Sequence, residues 1–464
     1  MVSEGIFGAR HRALTIGIIT LCSLVAFEYI AVATAMPAVA KALDGLELYA
    51  LSFGGSLAAG VVGMVVAGQW SDRKGPAGPI WWGVGAFVAG LAVAGLAPEM
   101  WVVVVGRVVQ GFGGGLIGVA LYVVVAGAYP AELHPRVFAA FAGAWTIPSM
   151  VGPALAGLIV QVAHWRWVFL AVAIVAVPAA LLMRSGLRGL PPAADGAAKR
   201  SRTALALGAA VSVCVLYIGG QQRGALALGL IALALAGLAV FAPRLLPRRT
   251  LRAGRGLPSV VLLRGFVGAA YLQADVFLPL LLQQQRGLSA LQSGFALTAG
   301  ALAWVTGSWW QGRHGKGLTN TQRLAGGSIM IALGVGATLF CVVPVLPVGA
   351  TVAVAVGGML VGGLGMGVAY PVMSTVTLEL SPPEDRGVNS SALQLSESLF
   401  TTTVLALGGS LFALLSATSM PLAFLAVFAI GELLAVLAIA VAFRTRPAAP
   451  SPSRAAEPPV PVAA

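Results

Sequence analysis

Charge is what this chain has least of. Only 9% of its 464 residues are Asp, Glu, Lys or Arg, while 58% are hydrophobic and the mean hydropathy is +0.93. So few charges cannot clothe a soluble surface, and one soluble core cannot bury that much apolar area. A soluble enzyme or binding module is excluded, and an integral membrane protein is implied. Cysteine is nearly absent too: Cys22, Cys214 and Cys341 lie far apart inside apolar runs, without ligand spacing, which excludes a disulfide framework. The four histidines (His11, His134, His164, His314) fall at segment ends, so no metal site is expected. No GxxxxGK[ST] loop occurs, which removes an ATP-driven pump. An embedded enzyme or receptor would need paired catalytic groups or a sizeable soluble domain, and the chain offers neither. No cofactor is expected. The net charge of +13 is not gathered on a solvated domain with interleaved aromatics, so nucleic acid is not an expected partner.

What remains is a succession of apolar runs. A spanning helix needs about 20 apolar residues, and division at charge and Pro/Gly clusters gives fourteen such runs between residues 13 and 443. The first is too long for a cleaved signal peptide and is read as an uncleaved helix. With a cytoplasmic N-terminus, the outer loops keep only Lys41, Arg166, Arg223 and Arg286 of the 28 Lys and Arg, with Arg107 and Arg264 inside spans. That asymmetry predicts a multi-pass protein of the plasma membrane with both termini cytoplasmic. The chain also repeats at long range: WSDRKG (70–75) answers WQGRHG (310–315), and GVALY (118–122) answers GVAY (367–370). The predicted architecture is therefore all-α and polytopic, with a six-helix half over 1–183, an inserted two-helix segment with basic loops over 184–257, a second six-helix half over 258–443, and a disordered Pro/Ala-rich tail over 444–464. Repeated halves place a binding site near the midplane between them, with transport by rocking of one half against the other.

Three stretches carry more specific information. GQWSDRKGP has a GxxxDRxG pattern through Gly68, Asp72, Arg73 and Gly75. There Asp72 is placed to cap the positive end of a neighbouring helix and Arg73 to reach an acid or a headgroup, while an ordinary inner-loop charge cluster serving topology is the alternative. GRVVQGFGGG has RxxQG through Arg107, Gln110 and Gly111, and WTIPSMVGPALAG has GPxxxG through Gly152, Pro153 and Gly157. Ser149, Gly152, Pro153, Ala156 and Gly157 share one helical face, which lets another backbone approach closely. Together these resemble the major facilitator superfamily, in particular its fourteen-span drug:proton antiporters, across essentially the whole chain. The resemblance implies a gating loop at 68–75, an antiporter motif at 152–157, and alternating access. The second half departs from the pattern, with Gly312 where the first has Asp72.

Ionisable residues inside spans cost about 2.5–3.5 kcal/mol each to insert and are functional by default. They are Glu28, Arg107, Arg264, Asp275 and Glu397. At ~1.5 Å per residue, Glu28 lies roughly 8 Å and Arg107 roughly 9 Å from the same outer surface, which predicts a pair; Asp275 comes out at a similar depth. A buried carboxylate takes a proton once its cation is drawn away, so Glu28, Arg107, Asp275 and Glu397 are the candidate coupling residues, a permanent structural pair being the alternative for Glu28. Glu397 is either a second proton site or a packing residue satisfied by Gln394 and Ser398. Arg264 is expected to snorkel to headgroups. The expected substrate cavity includes Glu28, Tyr29, Gln110 and Asp275. The function so predicted is proton-coupled export of amphipathic small molecules by a monomer in the bilayer, with protons and the small molecule as its partners. A lipid or glycolipid exporter and a metabolite:proton symporter of the same fold stay open.

Overall fold

A computed structural model describes residues 5–9, 11–187, 190, 200–222, 224–314, 317–342, 346–382 and 386–446. Fourteen principal helices run along them: α1 Arg12–Ala42, α2 Tyr49–Lys74, α3 Ala77–Leu96, α4 Met100–Ala128, α5 His134–Val162, α6 Arg166–Leu182, α7 Arg200–Gln221, α8 Gly224–Leu245, α9 Leu257–Gln284, α10 Ala290–His314, α11 Asn320–Val342, α12 Val348–Glu379, α13 Arg386–Ser416 and α14 Met420–Ala442. Eleven helices are long and apolar enough to cross a membrane, and Arg166–Leu182 and Ala204–Gly220 are shorter apolar helices. In oil, helices satisfy their own backbone groups, which is why an apolar chain of this composition takes this form. Arg188, Lys199 and the tail beyond Arg446 lie outside the described residues.

The packing repeats with a shift of eight helices. In the first half α1 lies on α5 and α6, α2 and α3 on α4, and α3 on α6; in the second, α9 lies on α13 and α14, α10 and α11 on α12, and α11 on α14. Small residues make the matching crossings possible, because apolar lipid gives no net drive to bring bulky helices together. A Cβ on Gly115 would stand 2.1 Å from the Gly60 carbonyl oxygen where α4 crosses α2, and one on Gly363 2.1 Å from the Gly300 carbonyl oxygen where α12 crosses α10. The halves meet along α5–α10, α2–α13 and α1–α9. α7 packs on both α2 and α13, and α8 lies mainly against α7 with Leu226, Leu228 and Leu233 turned outward. The inserted pair therefore covers one seam between the halves and leaves the α5–α10 seam bare.

Contacts between the halves gather at the face that carries the α1–α2 loop, the outer face in the charge-based reading. There a Cβ on Gly157 would come 2.6 Å from Leu291 Cα, one on Gly294 2.5 Å from the Pro153 carbonyl oxygen, and one on Gly409 2.2 Å from Ala50 Cβ. Toward the opposite face Gly68, Gly143 and Gly312 have open space beside them. The motif expected as a gating loop is mostly helix: Gly68, Asp72 and Arg73 complete the last turns of α2. Only Gly75, at φ 80°, turns the chain, and its N–H donates to the Ser71 carbonyl. The positive φ suits glycine and ends the helix there.

A topology test follows. Gly45 is a poor reporter site, since a Cβ there would overlap Met100 at 2.1 Å. Lys41 and Lys74 are exposed at opposite ends of the first hairpin. In a protein lacking Cys22, Cys214 and Cys341, Lys41→Cys should react with an impermeant maleimide added outside intact cells and Lys74→Cys should not. Labelling of Lys74→Cys alone would invert the orientation.

Candidate functional site

The site starts from one buried charge. Arg107, on the second turn of α4, donates from Nη1 to Glu28 Oε1 on α1 and, at 2.5 Å, to Gln110 Oε1 one turn along its own helix. Gln110 Nε2 closes the ring by donating to Glu28 Oε2. Arg107 Nε donates to the Ser52 carbonyl of α2 at 3.3 Å. Glu28 and Arg107 are 2% and 4% exposed, so both charges have left water, and Gln110 and the Ser52 carbonyl add hydrogen bonds to the pair. Arg107 thus joins α1, α2 and α4 at one point. The pair anticipated from helix depth is present.

Behind this ring opens a cavity. Its walls include Tyr29, Phe53, Ser56, Arg107, Leu272 and Asp275. Of the four residues expected to line it, Tyr29 and Asp275 do; Glu28 and Gln110 are not among its lining residues and meet it through Arg107. Asp275, on α9, has neither a hydrogen bond nor an ion pair among the described residues. Tyr29 of the first half and Asp275 of the second line the same cavity. Tyr29 also meets Trp145 edge-on at 6.2 Å.

Glu397 sits in a second cluster with an unexpected member. Arg264 Nε donates to Glu397 Oε2 at 2.8 Å, Tyr370 OH donates to Glu397 Oε1 at 2.5 Å, and the Arg264 guanidinium lies 3.5 Å from the Tyr370 ring centroid. Arg264 does not snorkel: its side chain is 12% exposed and turned toward α13. Glu397 is held by Arg264 and Tyr370 rather than by Gln394 and Ser398. Space for this comes from Gly268, where a Cβ would stand 2.9 Å from Glu397 Cγ. From Tyr370 an aromatic ladder continues to Trp304 and Tyr271, at 4.8 and 5.9 Å.

Asp72 caps no helix among the described residues and makes no ion pair there; it lies within the last turn of α2. In GPxxxG, Gly152, Pro153, Ala156 and Gly157 form the buried face of α5, and the Pro153 carbonyl and Gly157 meet α10. That motif therefore brings the halves together at the face that carries the α1–α2 loop. Glu28 and Asp275 stand differently relative to the prolines of their helices: α1 carries Pro37 and α9 carries Pro279, and the acids stand nine and four residues before them. The offset of five residues is about 7.5 Å along a helix. One further membrane acid, Glu432 on α14, was not among the expected site residues, although it stands in plain view in the apolar run 420–443. It lies at Gly336 of α11, where a Cβ would be 3.3 Å from its Oε2.

A central cavity between two repeated six-helix bundles, lined by one unpaired acid and flanked by two ion-paired ones, defines a polytopic transporter. The chain belongs to the Major Facilitator Superfamily, whose family model matches residues 16–363. It is similar to the multidrug transporter protein MdtP of Bacillus subtilis, with 25% identity over 413 residues covering 86% of this chain and 74% of that protein. It is also similar to the probable multidrug-efflux transporter Rv1634 of Mycobacterium tuberculosis, with 24% identity covering 78% and 79%. Among solved structures, a POT family transporter bound to 5-aminolevulinic acid matches with TM-score 0.66 at 14% identity, covering 94% of this chain and 96% of that one. A bacterial homologue of the lysosomal transporter Spinster, inward-facing and unoccupied, matches with TM-score 0.64 at 13% identity, covering 93% and 95%.

The ring around Arg107 makes a stability prediction. Removing one member of a buried pair strands the other and costs about 3–5 kcal/mol, whereas neutralising both removes the stranded charge. Arg107→Leu should therefore melt well below wild type in detergent, and the Glu28→Gln/Arg107→Leu double variant should recover part of the loss. A double variant no more stable than Arg107→Leu would mean that the arginine acts by packing alone.

Proposed function

We propose that the chain is a proton-coupled exporter of amphipathic small molecules, of the fourteen-span antiporter kind, acting in the plasma membrane with both termini cytoplasmic. The observation that carries this reading is Asp275, an acid without a partner on the wall of a cavity that opposes it with Tyr29 and Arg107. An unpaired acid in low dielectric is stable as the neutral form, so a proton or a cationic group of the substrate satisfies it and each displaces the other. Competition of this kind is sufficient for exchange: the loaded site differs in charge according to which ligand it holds.

Glu28 and Glu397 take supporting parts. Each is already neutralised, by Arg107 and by Arg264. A substrate that engages Arg107 weakens the hold on Glu28, which then accepts a proton in turn. The halves 1–183 and 258–443 rock about the cavity, and the inserted segment 184–257 travels with the α2–α13 seam. Asp72 and Arg73, on the face where the halves stand apart, engage when that face closes, which makes them residues of turnover rather than of affinity. The multidrug names of the relatives support the direction of transport and the amphipathic class of substrate.

Asp275→Asn keeps the size and loses the titration. In proteoliposomes, a pH gradient should drive ethidium against its own gradient with wild-type protein and fail to do so with Asp275→Asn, while downhill ethidium movement persists. Proton release, followed with a trapped pH dye, should vanish with it. Glu28→Gln, with its partner Arg107 left in place, should reduce coupling less. Undiminished uphill transport by Asp275→Asn would remove Asp275 from the coupling step and move the search to Glu28 or Glu397.

A further inference from the structure

Two hydrogen bonds cross between the halves at the outer face, and they have the same construction. Tyr49 OH, on the first turn of α2, donates to the Val276 carbonyl of α9 at 2.6 Å. Gln283 Nε2, on the last turn of α9, donates to the Thr34 carbonyl of α1 at 3.2 Å. Val276 stands three residues before Pro279, and Thr34 three residues before Pro37. A proline inside a helix removes one N–H and pushes the preceding turn aside, so its carbonyls are turned out of the ladder and become available to a donor from elsewhere. Each half thus offers a carbonyl at a proline-opened turn, and the opposite half reads it with one side chain.

The surroundings fix both donors. Tyr49 is 0% exposed, packed on Phe53 and Phe277 at 5.3 and 5.8 Å, so its ring has one orientation. Gln283 Nε2 also donates to Ser293 Oγ of α10 at 2.8 Å, and the Thr34 methyl packs where Gly294 lets α10 come close. The two bonds therefore tie α2 to α9 and α9 to α1 along the same face on which Gly157 and Gly409 seal the seams.

We propose that Tyr49 and Gln283 are the paired latch of the outer closure, and that the Tyr49 arm is the one that senses the cavity. The carbonyl it grips belongs to the residue after Asp275: Val276 and Asp275 both line the cavity, and Pro279 leaves the Asp275 carbonyl without its own helical donor. A ligand that moves the Asp275 side chain tilts the Asp275–Val276 peptide, which adjoins the one whose carbonyl Tyr49 holds. The Gln283 arm has no acid beside it and is a passive tie. Tyr49 is a positioning residue, acting through the backbone of α9. The proposal deepens the alternating-access reading, and its test needs neither substrate nor a proton gradient.

The reporter is Ser56→Cys, on the cavity wall, in full-length protein with Cys22, Cys214 and Cys341 replaced by alanine. A charged methanethiosulfonate is added either to right-side-out or to inside-out vesicles and the modification rate is read. Tyr49→Phe keeps the ring and its packing, so the fold is preserved while the hydroxyl is lost. With a typical net hydrogen bond at stake, Tyr49→Phe and Gln283→Leu should each raise the rate from the outer face about fivefold, and together about 25-fold, while the rate from the inner face falls. Tyr49→Phe should also abolish the dependence of that rate on Asp275→Asn, and Gln283→Leu should leave it. An unchanged outer rate, or rates that rise from both faces as in a merely loosened protein, overturns the latch. An Asp275 effect that survives Tyr49→Phe overturns the sensing arm.

Discussion

A charge in oil must be answered by another group at the same depth, and the placing of Arg107 is where this chain meets that requirement first. Its guanidinium is held by Glu28, Gln110 and the Ser52 carbonyl, so three helices distant in sequence are brought to one point. Hydrophobic packing cannot select that arrangement, because lipid is as apolar as the leucines and valines that line these helices. The arginine is therefore a register pin for the first half as well as part of the cavity wall. In the second half the pin is differently made, with Arg264 on α9, Glu397 on α13 and Tyr370 on α12. Each half is fixed by one ion pair with a polar third party, and Asp275, outside both pairs, stands on the cavity wall between them.

What the sequence made legible is what depends on one coordinate. Depth along a helix grows by about 1.5 Å per residue, so Glu28 and Arg107 could be matched from a count alone. The fourteen runs, the repeat of WSDRKG in WQGRHG and the small-residue face of 152–157 are likewise linear features. Azimuth is not. Whether Arg264 turns to headgroups or to α13 depends on which face of α9 meets which neighbour, and on Gly268 leaving room for a carboxylate; neither is written in the local pattern. The same applies to Tyr370, visible only as a letter of a repeated motif until α12 is placed beside α9. Counting from helix starts also leaves out the proline kinks, relative to which Glu28 and Asp275 stand at different positions.

The two halves are equivalent in packing but not in surroundings. α7 covers the α2–α13 seam with Tyr217, whose ring stands where Gly54 and Gly409 leave space, and Ser410 Oγ donates to the Leu216 carbonyl at 3.3 Å. The α5–α10 seam has no such cover among the described residues, and its closure depends on the backbones at Pro153, Gly157, Leu291 and Gly294 lying almost in contact. One seam is thus held by an added layer of protein and the other by the absence of side chains. In the proposed rocking, movement about the cavity is correspondingly unequal: along α5–α10 a few small residues separate without moving a third element, while along α2–α13 the hairpin shifts as well.

Proline and acid occupy the same turn of α9, and this joins the chemistry of the cavity to its walls. A regular helix would isolate the Asp275 side chain from the backbone above it, since every carbonyl there would already be bonded within the helix. Pro279 removes that insulation: the Asp275 carbonyl has no helical donor and the next carbonyl is taken by Tyr49 from the other half. α1 has the same kink at Pro37, but its acid, Glu28, lies five residues further from the proline and is committed to Arg107. The first half therefore contributes a fixed pair and a passive kink, while the second contributes a free acid set directly on its kink. In a fold built by repetition, that displacement of one acid by little more than a helical turn is what, in the proposed mechanism, distinguishes the half that holds from the half that responds.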